Sequence, residues 1–114
     1  MMKIEGLGHV VIRVSNLEKA EAFYGGILGM PLVARTDEGN MSFFSLDNHH
    51  DFVLMAIGDD AEHPSARSTG LAHVAFKIGN DLDTLREARS HLDEAGIKSV
   101  SIDHEVTQSL YFQD

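Results

Sequence analysis

The segment Gly6-Leu7-Gly8-His9-Val10-Val11-Ile12-Arg13-Val14-Ser15-Asn16 returns at an offset of 64 residues as Gly70-Leu71-Ala72-His73-Val74-Ala75-Phe76-Lys77-Ile78-Gly79-Asn80, with a histidine at the same place in each copy. Self-similarity at a fixed offset settles architecture before any local reading, because each copy is a unit that needs its twin to complete a core. Two equivalent strands that each carry an imidazole can also bring those imidazoles to one point in space, where a metal ion can hold them.

A chain of 114 residues is too short for two independent domains, so the repeat predicts two half-domains that fold as one. The expected boundaries are a first unit over 1–58, a linker over 59–69 and a second unit over 70–114. In the first copy, residues 7–14 read as a β-strand rich in Val and Ile. Ser15 or Asn16 then caps a helix, with Ser15 and Glu18 at capping-box spacing and Leu17, Ala20, Phe23, Tyr24 and Ile27 on one apolar face. Gly25, Gly26, Gly29 and Pro31 end that helix. Strands over 32–36, 41–46 and 52–57 follow, the first two joined by the turn Asp37-Glu38-Gly39-Asn40.

The second copy repeats this order. A strand over 71–78 leads to a helix capped by Asn80 or Asp81, lined by Leu82, Leu85, Ala88, Leu92 and Ala95 and closed by Gly96. Strands over 97–102 and 109–112 come next. The pattern is α+β, two tandem βαβββ units, and the offset carries the last strand of the second unit past Asp114. That unit is therefore expected to lack its final strand, because the chain is truncated, because its last residues are disordered, or because another molecule completes the sheet; an unpaired edge favours association, and a homodimer is expected.

Charge and composition narrow the partners. A net charge of -9 disfavours nucleic acid and anionic membrane surfaces, both of which require a basic face. No apolar run approaches a membrane span, and the first residues enter a strand pattern without the charged and apolar regions of an export signal. With no cysteine, disulfides and thiolate ligands are both removed, which fits a cytoplasmic setting. Any metal must be held by His, Asp, Glu or backbone oxygen.

The tandem units, the run Gly-Leu-Gly-His-Val-Val-Ile-Arg-Val with Phe23-Tyr24-x-x-Ile27-Leu28-Gly29-Met30, the pair His49-His50, and Asp103-His104-x-x-x-x-Ser109-Leu110-Tyr111-Phe112-Gln113-Asp114 together resemble the vicinal oxygen chelate superfamily. This group includes glyoxalase I, bleomycin-resistance proteins and extradiol ring-cleavage dioxygenases; the last two pieces look most like the extradiol branch. The resemblance implies a half-open curved sheet, a cup, with a divalent metal inside, Fe(II) or Mn(II) in that branch. His9 and His73 match its two histidine ligands. Its third ligand, a carboxylate, is expected beyond Asp114. Two imidazoles and a carboxylate leave open positions where a bidentate diol and O2 can bind side by side.

By the same resemblance His50 matches an acid/base residue beside the metal, His104 a histidine of its surroundings, and Tyr111 a hydrogen-bond donor to substrate or oxygen. Imidazole titrates near neutral pH and suits proton transfer from a catechol-like hydroxyl. Blander readings stand beside these. Adjacent histidines before a strand also occur as solvated turns, and a strand tyrosine is commonly a core aromatic whose hydroxyl reaches water. His63, His91 and the run Asp59-Asp60 with Glu62 read as solvated.

Three functions follow from the resemblance. The first is a metal-dependent, dioxygenase-like enzyme acting on a vicinal-diol small molecule. The second is a non-catalytic binding protein that sequesters a hydrophobic small molecule. The third, a glyoxalase-type lyase or isomerase, needs a carboxylate in the last strand of the first unit, and 52–57 is Phe-Val-Leu-Met-Ala-Ile.

Overall fold

In a computed structural model, described over residues 1–47, 50–103 and 108–113, the chain divides into two compact units, Met1–His63 and Pro64–Asp114. Its class is the expected α+β, with an open sheet in the first unit and one long helix in the second.

The first unit is built on a four-stranded mixed sheet of order β1-β4-β3-β2: β1 Val10–Val14, β2 Leu32–Arg35, β3 Met41–Phe44 and β4 Phe52–Ala56. β4 pairs in parallel with β1, Val10 opposite Phe52 and Val14 opposite Ala56, and antiparallel with β3, Phe44 opposite Phe52. β1 is shorter than the sequence suggests. Its partner begins at Phe52, and residues 7–9 find no ladder beyond that point, so His9 stands just before the strand rather than inside it.

Asn16, not Ser15, is the helix cap: it is extended (φ -134, ψ 118) and its side chain accepts from the Lys19 N–H at 2.9 Å. The helix is α-helical only over α1, Leu17–Glu21, and widens into a π-helical turn over Ala22–Ile27, marked by Leu28 N–H donating to Phe23 C=O at 2.9 Å. The widened turn buries two successive residues, Phe23 and Tyr24, against the sheet. Tyr24 meets Phe52 at a ring separation of 4.9 Å. Gly25 allows the turn to close down: a Cβ there would lie 3.3 Å from Phe44 Cε1.

Strand alternation then sorts the sheet into two faces. Phe44, Phe52, Leu54 and Ser42 are buried toward the helix, none more than 1% exposed. Val11, Arg13, Met41, Phe43, Val53 and Met55 lie on the other face by register.

One polar cluster ties helix to sheet. Arg35 of β2 donates to both Glu21 carboxylate oxygens at 2.9 and 2.8 Å, and the fully buried Ser42 hydroxyl donates to Glu21 as well. The Arg35 hydrogen bonds, opposed by burial and joined by Ser42, hold the Glu21 carboxyl below the usual carboxylate range. A carboxyl with a lowered native pKa stabilises the fold fully above its unfolded value and loses that contribution as pH falls through its native value. Glu21→Gln is therefore expected to lower stability at neutral pH and to flatten its fall below the ordinary glutamate range, read by urea denaturation across pH. A parallel fall in both proteins would refute this role.

The second unit contains α2, Leu82–Glu94, and an antiparallel hairpin of β5, Val100–Asp103, with β6, Gln108–Tyr111. Asp81 is the cap, accepting from Thr84 N–H at 2.8 Å, and Gly96 (φ +79) follows the helix end. Of the expected apolar stripe only Leu92 is buried. The strand expected over 71–78 is not formed. In the first unit β1 draws its ladder from β4, and no described strand does the same for residues 71–78. Residues 71–78 keep a strand-like alternation, with Val74 and Phe76 half-buried between exposed neighbours, but have no ladder.

Candidate functional site

Each of the two units brings one pair of the expected site residues together. In the first, His9 leads into β1 and His50 leads into β4, the strand that pairs with it. Their rings lie 4.9 Å apart between centroids at a tilt of 46°. Phe43 of β3 presses edge-to-face against His50 at 5.6 Å and 86°.

Asp51, the residue after His50, is held from both sides. Asp51 N–H donates to Phe44 C=O at 2.9 Å, Val10 N–H donates to Asp51 C=O at 3.0 Å, and the Asp51 carboxylate accepts from Leu46 N–H. Asp47 adopts φ +82, a left-handed turn that aspartate tolerates. Both imidazoles are exposed, and Val53 beneath their face of the sheet is only 1% exposed. The site is thus a pair of imidazoles at the rim of an apolar strip of Val11, Met41, Phe43, Val53 and Met55.

In the second unit, His73 faces Tyr111 of β6 edge-on, 6.1 Å between ring centroids. The contact joins β6 to a segment far from it in sequence. His49 and His104, and the position beyond Asp114 expected to supply a carboxylate, lie outside the described residues.

The donor chemistry suits a transition metal. Imidazole nitrogen is a ligand for zinc, iron, copper and nickel alike, and His9 and His50 supply two such donors within one unit. Among the described residues no group of three His, Asp or Glu side chains converges.

Two features escaped sequence reading. Phe43, which buttresses His50, looked like an ordinary strand residue, although its place on the same alternating face as Val53 could have suggested it. Arg13 lies on the face of Val53 and Met55, at the end of β1 away from His9. A shallow groove of about 440 Å³ lined by Gly25, Gly26, Met30, Leu32 and Arg35 lies on the helix side of the sheet and includes none of the expected site residues. No helix among the described residues is long and apolar enough to cross a membrane.

With this architecture in view, the chain belongs to the Glyoxalase/Bleomycin resistance protein/Dioxygenase superfamily, whose sequence model matches residues 6–114. Among its relatives, biphenyl-2,3-diol 1,2-dioxygenase 2 of Rhodococcus globerulus is 31% identical over 109 residues, 93% of this chain and 55% of that protein. The uncharacterized protein YwkD of Bacillus subtilis is 29% identical over 106 residues, 89% of this chain and 80% of that protein. The chain thus spans only about half the length of the dioxygenase. The crystal structure of a glyoxalase/dioxygenase from Nostoc punctiforme shares the fold, with a TM-score of 0.79, 19% identity and coverage of 96% of this chain and 84% of that one.

Proposed function

We propose that the protein is a metal-dependent, extradiol-type dioxygenase acting on a vicinal diol of the catechol kind. The observation that carries this reading is the approach of the His9 and His50 rings to 4.9 Å on the exposed face of the sheet, in a chain of a superfamily that includes dioxygenases. In this reading His9 and His73 hold Fe(II) or Mn(II), with a carboxylate from beyond Asp114 as third ligand. The metal, when bound, supplies adjacent open positions for a diol and O2.

The remaining work falls to side chains of this chain. His50, held in place by Phe43 and by the hydrogen bonds of Asp51, accepts the proton of one substrate hydroxyl. The apolar strip of Val11 and Phe43, backed by the buried Val53, packs against the flat ring of the diol and keeps water from it. Tyr111 donates to a substrate or oxygen atom, with His104 as a further polar group of the site. The reaction inserts both atoms of O2 into the product and needs no external reductant. A homodimer is part of this proposal, because the outer edges of β1 and β2 pair with no described strand. So is a cytoplasmic location, which the lack of cysteine favours.

The test is aerobic incubation of Fe(II)-loaded full-length protein with a 2,3-dihydroxybiphenyl-type diol, following the yellow ring-cleavage product. Turnover in the wild type, its loss in His9→Ala and His73→Ala, and weaker iron retention in both variants are expected. Unchanged iron content in both variants would overturn the ligand assignment.

A second reading rests on the same apolar strip. A protein that sequesters an apolar small molecule needs that strip and not the histidines, so metal-independent ligand binding that survives His50→Ala would favour it over catalysis.

A further inference from the structure

The first unit contains more donor chemistry at one point than a single metal-binding histidine would require. From the ring geometry we infer that His9 and His50 form a bidentate imidazole site of their own, able to take a borderline transition-metal ion without His73.

Metal–nitrogen bonds of about 2.0–2.1 Å put each ring centroid about 3.2 Å from a shared ion, so two ligating rings at bond angles of about 90–109° stand about 4.5–5.2 Å apart. The observed 4.9 Å falls in that range, and the tilt of 46° rules out a face-to-face stack of the two rings. Neither imidazole is hydrogen-bonded to another described residue, so their nitrogens are not committed elsewhere among those residues.

Both rings sit on well-anchored backbone. Val10, next to His9, donates its N–H to the carbonyl of Asp51, next to His50, at 3.0 Å. One hydrogen bond therefore couples the two chain segments that carry the rings. Phe43 packs edge-to-face on His50. A pair set in this way loses less side-chain freedom on binding an ion than two independent surface histidines would.

Two nitrogens and no carboxylate also set the selectivity. The site favours Co(II), Ni(II), Cu(II) or Zn(II) over Mg(II) and Ca(II), which require oxygen ligands. This inference shares His9 with the proposed function but needs neither substrate nor oxygen. The two uses of His50 belong to different states, ion capture in the diol-free protein and proton transfer in the diol-bound one.

The experiment is titration of metal-free full-length protein with Co(II) alone, read by visible absorption and by paramagnetically shifted imidazole proton signals. His73→Ala is expected to bind one Co(II) with two shifted imidazole sets. Adding His50→Ala or His50→Gln to that variant is expected to weaken binding at least tenfold and to remove one set, while far-ultraviolet circular dichroism stays unchanged. Equal affinity of the single and double variants, or a single shifted set in His73→Ala, would overturn the inference. If Co(II) binds at the pair as expected and the Fe(II)-loaded wild type turns over no diol, the catalytic reading fails and the bidentate site stands.

Discussion

Phe44→Ala is expected to destabilise the first unit by about 3–5 kcal/mol, the usual cost of emptying a fully buried aromatic site. Phe44 is 0% exposed, faces Phe52 across paired strands at a ring separation of 6.4 Å, and closes against the π-helical turn at Gly25. The turn cannot slide in to fill the gap, because Leu28 and Met30 are hydrogen-bonded back to Phe23 and Tyr24. A loss of that size is a large share of the about 5–15 kcal/mol that holds a small domain together. Urea denaturation should show a much lower midpoint at similar slope. Phe43→Ala, on the opposite and more open face, should cost less than half as much. If Phe44→Ala came within about 1 kcal/mol of wild type, the core would have been assigned to the wrong face.

That assignment of faces was legible in the sequence. Alternation in Phe52-Val53-Leu54-Met55-Ala56 separates Phe52, Leu54 and Ala56 from Val53 and Met55, and the register with β3 and β1 keeps the same division. The capped helices were legible too, since a polar residue before an apolar run is a local signal. The π-helical turn was not. A helical-period reading assumes about 3.6 residues per turn, and Phe23 and Tyr24 as neighbours on one apolar face already strained that assumption.

The second unit was misread over 71–78 for a different reason. Composition reports that a segment suits a strand, and Val74 and Phe76 do alternate as a strand would. It cannot report whether a partner is present, and β structure is a property of pairs. The histidines show the same division between local and long-range information. The repeat singled out His9 and His73 as equivalent, whereas the contacts within each unit are His9 with His50 and His73 with Tyr111. Long-range register decides such pairings; composition and periodicity gave no clue to the first, and only the resemblance, which sets His50 beside a metal held by His9, pointed to it.

Of these residues His50 should show the largest catalytic effect. Under the proposed function, His50→Gln at saturating Fe(II) should lower kcat for ring cleavage by about 10²–10⁴, the range for removing a positioned acid/base group, and leave KM for the diol within a few fold. Glutamine keeps a polar side chain of similar reach but cannot take the hydroxyl proton. Working at saturating metal separates this effect from any weakening of ion capture. Phe43→Leu adds a positional control, since it removes the aromatic edge contact at 5.6 Å and leaves the imidazole in place. It should cost far less than His50→Gln, and the loss should appear in kcat because a displaced base misses the proton rather than the substrate. A His50→Gln enzyme with kcat within threefold of wild type would remove His50 from the chemistry and leave it only its place beside His9.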